Sequence, residues 1–238
     1  MQKNALVIGA SGGIGKAISE QLIKDGYFTY LHYNNDKPSV AKLMNHYGQQ
    51  TVQPVQADLS SYDGVNKLKS QINTQLDTIV YNAGITYYGL VTDISKEDRD
   101  KMIQLNITSL YETIQTFLPA MIQKKSGNIV VISSIWGQVG ASCEVLYSMT
   151  KGSQISFVKA LAKEVALSGI RVNAVAPGAV NTKMIGHFNE EEMSNIAGEI
   201  PMARLAEPNE IADVVSFLTS ERSSYITGEI LNVNGGWF

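Results

Sequence analysis

Tyr147 and Lys151 stand four positions apart in the string Tyr147-Ser148-Met149-Thr150-Lys151. On a helix, that spacing puts a phenol and an ammonium group one turn apart on one face. A free phenol has a pKa near ~10, and a neighbouring cation favours its ionised form. Such a pair can deliver a proton to a carbonyl oxygen. Taken alone, the spacing is more often that of an ordinary helix surface. A second string, Gly9-Ala10-Ser11-Gly12-Gly13-Ile14-Gly15, changes the balance. Its glycines allow a tight turn and a close approach of backbone N–H groups to phosphate. The positive end of a following helix then favours the anion. The plainer alternative is a simple turn between strand and helix. Together, a pyrophosphate cradle and a Tyr/Lys pair imply hydride transfer with tyrosine as the acid.

These groups need elements to hold them. Short apolar runs at 5–8, 28–33, 51–56, 76–81, 128–133, 171–176 and 229–233 predict strands. Several are continuously apolar, as strands covered on both faces require. Helical-period segments at 14–25, 37–47, 63–71, 96–125, 146–167 and 209–219 alternate with them. The pattern predicts an α/β fold in a single domain spanning 1–238: a doubly wound, Rossmann-type parallel sheet of about seven strands with helices on both faces. Ligands then bind at the carboxyl ends of the strands. Asp58-Leu59 and Asn82-Ala83-Gly84 fall at such ends. Asp58 suits either an adenine amino group or the cap of a helix starting near Ser60. Gly84 allows a close backbone approach. The irregular stretch 178–204 has the length of a functional loop and is read as a substrate lid.

Composition narrows the classes. The 238 residues carry a formal net charge of −3 and 44% hydrophobic residues, with no Lys/Arg-rich run, which argues against nucleic acid as a partner. One cysteine, Cys143, permits no internal disulfide and fits a reducing compartment. No signal segment and no membrane-length apolar run is present, so a cytoplasmic location without membrane partners is expected. No motif calls for a metal.

With these residues in view, the chain resembles the short-chain dehydrogenase/reductase family over essentially its whole length. The resemblance rests on Gly9, Gly13 and Gly15, on Asn82-Ala83-Gly84, and on Asn106 in Leu105-Asn106-Ile107. Ser134, Tyr147, Lys151, Pro177-Gly178 and Gly235-Gly236 complete it. It implies that Tyr147 protonates the carbonyl oxygen, that Ser134 holds that oxygen, and that Lys151 also binds the nicotinamide ribose. It implies further that Asn106 anchors a water in a proton relay. Cofactor contacts are carried over to Ser11, Gly12, Ile14, Leu59, Val180 and Thr182 as well, and a homotetramer is expected. Two positions depart from the family pattern: Ile8 replaces a frequent Thr, and Tyr81 replaces the first Asn of an Asn-Asn-Ala-Gly motif.

The cofactor reading favours NADPH over NADH. The predicted second strand ends in His32-Tyr33-Asn34-Asn35, without the carboxylate that binds a ribose 2′-OH. Ser11, Asn34, Asn35 and Lys37 are candidates for a 2′-phosphate, although Gly12 stands where many NADP-dependent members have Arg or Lys. The segment joining Ser134 to Tyr147 must border the carbonyl. There Trp136 offers an apolar wall and Glu144 a negative charge, the latter equally readable as a helix cap. The chain is similar to 3-oxoacyl-ACP reductases, which implies a carrier-protein thioester as substrate and gives Lys124-Lys125 a possible acidic partner. The string Ser134-Ile135-Trp136-Gly137 with Gly140-Ala141-Ser142-Cys143-Glu144-Val145-Leu146-Tyr147 is also similar to elongation factor P 5-aminopentanone reductases, whose ketone carries a cation. An idle nucleotide-binding regulator is the alternative of another class.

Overall fold

Successive side chains of a strand point to opposite faces, and here both faces are apolar. In β1 (Asn4–Ile8), Leu6 and Ile8 join one buried cluster while Ala5 and Val7 join another. The same alternation runs through β5 (Gly127–Ile132), where Ile129 and Val131 face one side and Val130 and Ile132 the other. A sheet buried on both sides must be sandwiched between helical layers.

The computed structural model describes residues 2–183, 186 and 189–238. Seven parallel strands run in the order β3-β2-β1-β4-β5-β6-β7. The others are β2 (Phe28–Tyr33), β3 (Val52–Gln56), β4 (Thr78–Tyr81), β6 (Ile170–Pro177) and β7 (Ile230–Val233). Helices α1 (Gly13–Lys24), α2 (Lys37–Tyr47) and α9 (Pro208–Thr219) cover one face. Helices α3 (Gly64–Ser70), α5 (Ser109–Lys124) and α7 (Val145–Val165) cover the other. The strand order reverses between β1 and β4, and the carboxyl ends of these two strands open the cleft where an α/β sheet binds its ligand.

Three elements differ from the sequence reading. The predicted helix 96–125 is α4 (Lys96–Ile103) and α5 joined through a π-helical turn, Gln104–Thr108. A short helix α6 (Trp136–Val139) lies between Ser134 and Tyr147. The stretch read as an irregular lid contains α8 (Glu190–Glu199), closed at its N-terminus by a capping box between Asn189 and Glu192. The polar composition of α8 hid it, because it buries no residue and so carries little apolar period.

Candidate active site

The glycine string forms the β1–α1 turn. Gly9 has φ +78°, and a Cβ there would lie 3.0 Å from the Ala83 backbone. A Cβ on Gly15 would collide with the Gly9 carbonyl, so this turn closes only without side chains. Asn82 braces it, its Nδ2 donating to the Gly9 carbonyl at 3.1 Å. The first turn of α1 carries no side-chain cap and no acidic residue, which leaves its amides and positive end to a phosphate. Thr182 packs against Gly13, and Val180, buried, is tied to Ala206 by a parallel bridge. Pro177 accepts from the Ile135 amide and the Gly178 amide donates to Val233, setting the end of β6 beside the cleft.

His32 completes this half, and the sequence reading missed its role. The Gly9 amide donates to Nδ1 at 3.1 Å, Nε2 pairs with the Ala57 carbonyl at 3.0 Å, and the Ala10 amide donates to the His32 carbonyl. Burial lowers its pKa to about 4, so the ring is neutral, with Nε2 as donor. The available signal was a lone polar ring inside an apolar run at a strand end.

The catalytic half is built on α7 and the π-helical turn. Lys151, buried, donates from Nζ to the Ile132 carbonyl at 2.9 Å and to Gln154 Oε1 at 3.3 Å. Burial pulls its pKa down to about 7, with no carboxylate among the described residues to offset it. Nζ lies 5.5 Å from the centre of the Tyr147 ring. Burial and then the Glu144 charge push the Tyr147 phenol up, while the Ser134 hydroxyl draws it back. The phenol is therefore fully protonated at neutral pH, as a proton donor must be. Ser134, at the end of β5, is buried and accepts from the Trp136 amide at 3.2 Å.

Asn106 is fully buried, and its carboxamide is engaged by protein rather than left open for a water. Oδ1 accepts from the Ile85 amide, and Nδ2 donates to the Ile85 carbonyl and to Thr150 Oγ1, each at 3.0 Å. Tyr81 explains its own departure from the family pattern. Its hydroxyl donates to the Leu105 carbonyl at 2.6 Å and so supports the turn that presents Asn106. A Cβ on Gly84 would lie 3.5 Å from Lys151 Nζ, so glycine there keeps open the space beside the ammonium.

Glu144 precedes α7, but its side chain makes no cap bond. Instead Thr86 Oγ1 donates to Glu144 Oε1 at 2.9 Å, across 58 positions of sequence. The Gly89 amide donates to the Cys143 carbonyl, joining the two loops of the cleft mouth. Tyr88, exposed beside Cys143, has its phenol raised, first by Cys143 and least by the more distant charges of Glu144 and Glu192. Trp136 packs edge-on against Trp237 and Phe238, with ring centres 5.2 and 5.5 Å away.

The family model described as enoyl-(acyl carrier protein) reductase matches residues 9–238. A Bacillus subtilis protein named uncharacterized oxidoreductase YmfI is 55% identical over 240 residues, covering 100% of this chain and 99% of that one. The 3-oxoacyl-[acyl-carrier-protein] reductase FabG of Staphylococcus aureus is 35% identical, with coverage of 100% and 99%. The solved structure of the angucycline C-6 ketoreductase LanV with bound NADP aligns at a TM-score of 0.93 and 30% identity, covering 99% of this chain and 95% of that one. This chain belongs to the short-chain dehydrogenase/reductase family.

As an oxidoreductase of this family the protein uses a nicotinamide cofactor, and the glycine turn, His32 and the gap at Gly84 fit one. Asn34 and Asn35 are exposed at the end of β2. Asp36, the nearest carboxylate, is held as the cap of α2 by the Ser39 hydroxyl at 2.6 Å and the Ser39 amide at 3.1 Å. Asp58 Oδ1 accepts from the amide and hydroxyl of Ser60 in a turn; it caps no helix, because the helix foreseen near Ser60 starts at Gly64 with Asp63 at its N-cap. Leu59 is buried in the core beneath it. Lys124 pairs with Asp77, and Lys125 closes α5 in the left-handed region at φ 55°. Both stand at the amino ends of β4 and β5, opposite the cleft, so they do not line its mouth. The stretch read as a lid includes Met184, Ile185, His187 and Phe188, which lie outside the described residues. No helix among the described residues is long and apolar enough to cross a membrane.

Proposed function

We propose that this enzyme is an NADPH-dependent reductase of a ketone that is carried on a protein and bears a cationic amine, as 5-aminopentanone on elongation factor P does. The observation that carries the reading is Glu144, held by Thr86 beside the acid Tyr147 instead of capping its helix. A half-buried carboxylate in that place suits an ammonium group. An acidic carrier would meet repulsion there, and Lys124 and Lys125 face the other end of the sheet.

When bound, NADPH supplies the hydride. The protein's own groups do the rest. The Ser134 hydroxyl donates to the carbonyl oxygen, and the Tyr147 hydroxyl gives that oxygen its proton. The Lys151 ammonium stabilises the phenolate left behind. Preference for NADPH is supported by Asn34 and Asn35 at the end of β2, where an acidic residue would bind a ribose 2′-OH, with Asp36 engaged as the cap of α2. Lys183 and Lys42 add positive charge around Asp36.

A second reading, reduction of a 3-oxoacyl thioester on acyl carrier protein, is supported by the 35% identity to proteins named for that activity. The idle-regulator reading is opposed by the intact Ser134, Tyr147 and Lys151. The deciding experiment is side-by-side NADPH oxidation with acetoacetyl-ACP and with 5-aminopentanonylated elongation factor P. A higher kcat/KM on the elongation factor supports the proposal. A higher value on the thioester selects the second reading, and cofactor binding with no turnover of any ketone revives the regulator.

A further inference from the structure

Gln154 is fully buried one turn beyond Lys151 on α7, and its carboxamide is used at both ends. Oε1 accepts from Lys151 Nζ at 3.3 Å, and Nε2 donates to the backbone carbonyl of Asn106 at 2.8 Å. That carbonyl belongs to the π-helical turn, in which the Asn106 carboxamide is bound to Ile85 and Thr150 and the Leu105 carbonyl to Tyr81. The space in which a relay water was anticipated is thus spanned by protein atoms.

We propose that Gln154 is a positioning residue for Lys151, clamping the ammonium between the Ile132 carbonyl and the π-helical turn and taking the place of a relay water. An ammonium has three N–H donors. Two are committed to Ile132 and Gln154, so the third has one direction left, toward the open space at Gly84. Such acceptors favour the charged form of a buried amine that has no carboxylate partner, against the burial that lowers its pKa. Among the described residues the titratable group facing the ammonium is Tyr147 on its own helix, and Glu144 acts on that phenol. The segments packed around it, at Ile132, Gly84 and Asn106, bring neutral groups.

This inference rests on the reductase reading of Tyr147 and Lys151 but not on the substrate. The test uses Gln154→Met, which fills the same space without an acceptor, and Gln154→Ala, which leaves a polar gap that water can occupy. Each is followed by the pH profile of kcat on whichever ketone the wild type reduces. NADPH affinity across the same pH range, from nicotinamide fluorescence, needs no turnover. The Met variant should lose about tenfold or more in kcat, with the alkaline limb and the loss of NADPH affinity moved about one pH unit lower. The Ala variant should lose several-fold less, because water restores the link between Nζ and the Asn106 carbonyl. A Met variant with unmoved pH profiles would overturn the proposal, and so would an Ala variant worse than Met, the order expected of simple packing. If no ketone is reduced, the reductase reading fails while the NADPH titration still decides for or against Gln154.

Discussion

Glu144→Gln separates the two substrate readings most sharply. Glutamine keeps an oxygen that can accept from Thr86 Oγ1, so the 2.9 Å bond and the loop geometry survive while the charge is lost. If the substrate carries an ammonium group, the loss is one charge-assisted contact in a half-buried site, worth roughly 1.5–3 kcal/mol, or ~10–100-fold in kcat/KM. The same charge also holds the Tyr147 phenol up, after burial. Its removal makes Tyr147 slightly more acidic and should leave kcat on a neutral ketone unchanged or a little higher. The assay is NADPH oxidation at matched ionic strength, with aminopentanone-bearing elongation factor P and with an uncharged ketone of similar length. Raising salt should shrink the wild-type advantage on the cationic substrate, because exposed parts of the contact are screened. Equal losses on both substrates, or none on the cationic one, would refute the reasoning and make Glu144 a structural partner of Thr86.

Three further outcomes are expected. Tyr147→Phe should lower kcat by at least a hundredfold with NADPH affinity nearly intact, since proton transfer contributes ~10²–10⁴-fold; a tenth of wild-type turnover in the variant would remove Tyr147 as the acid. kcat/KM should favour NADPH over NADH, and Asp36→Asn should change that ratio little, because Asp36 is engaged with Ser39. His32, neutral in the fold with its pKa lowered to about 4, binds fewer protons than the unfolded chain between that value and ~6.5. Its contribution is present above pH ~6.5 and is lost as pH falls through the folded value, roughly 3 kcal/mol in all. Thermal melts should therefore show a fall in Tm over that window, and His32→Gln, which can keep both bonds, should flatten it.

Much of the architecture is local in origin and was readable from the chain. Short β-branched runs such as Ile129-Val130-Val131-Ile132 suit strands covered on both faces, and the glycine turn together with the Tyr/Lys spacing is legible by residue type. What the sequence left open depends on pairs that the strand order brings together. Thr86 meets Glu144, His32 meets Gly9 and Ala57, and Gln154 meets the Asn106 carbonyl, each across 23 or more positions. No periodicity encodes such meetings. The π-helical turn was invisible for a related reason, because its extra residue is supported by the Tyr81 hydroxyl from a different strand. Sequence alone offered the side chains, Ser134, Tyr147 and Lys151, on which the proposed proton transfer rests. Tertiary structure alone decided where Glu144 goes: it leaves its own helix uncapped and accepts from Thr86, 58 positions away, a meeting of two loops that no local pattern encodes.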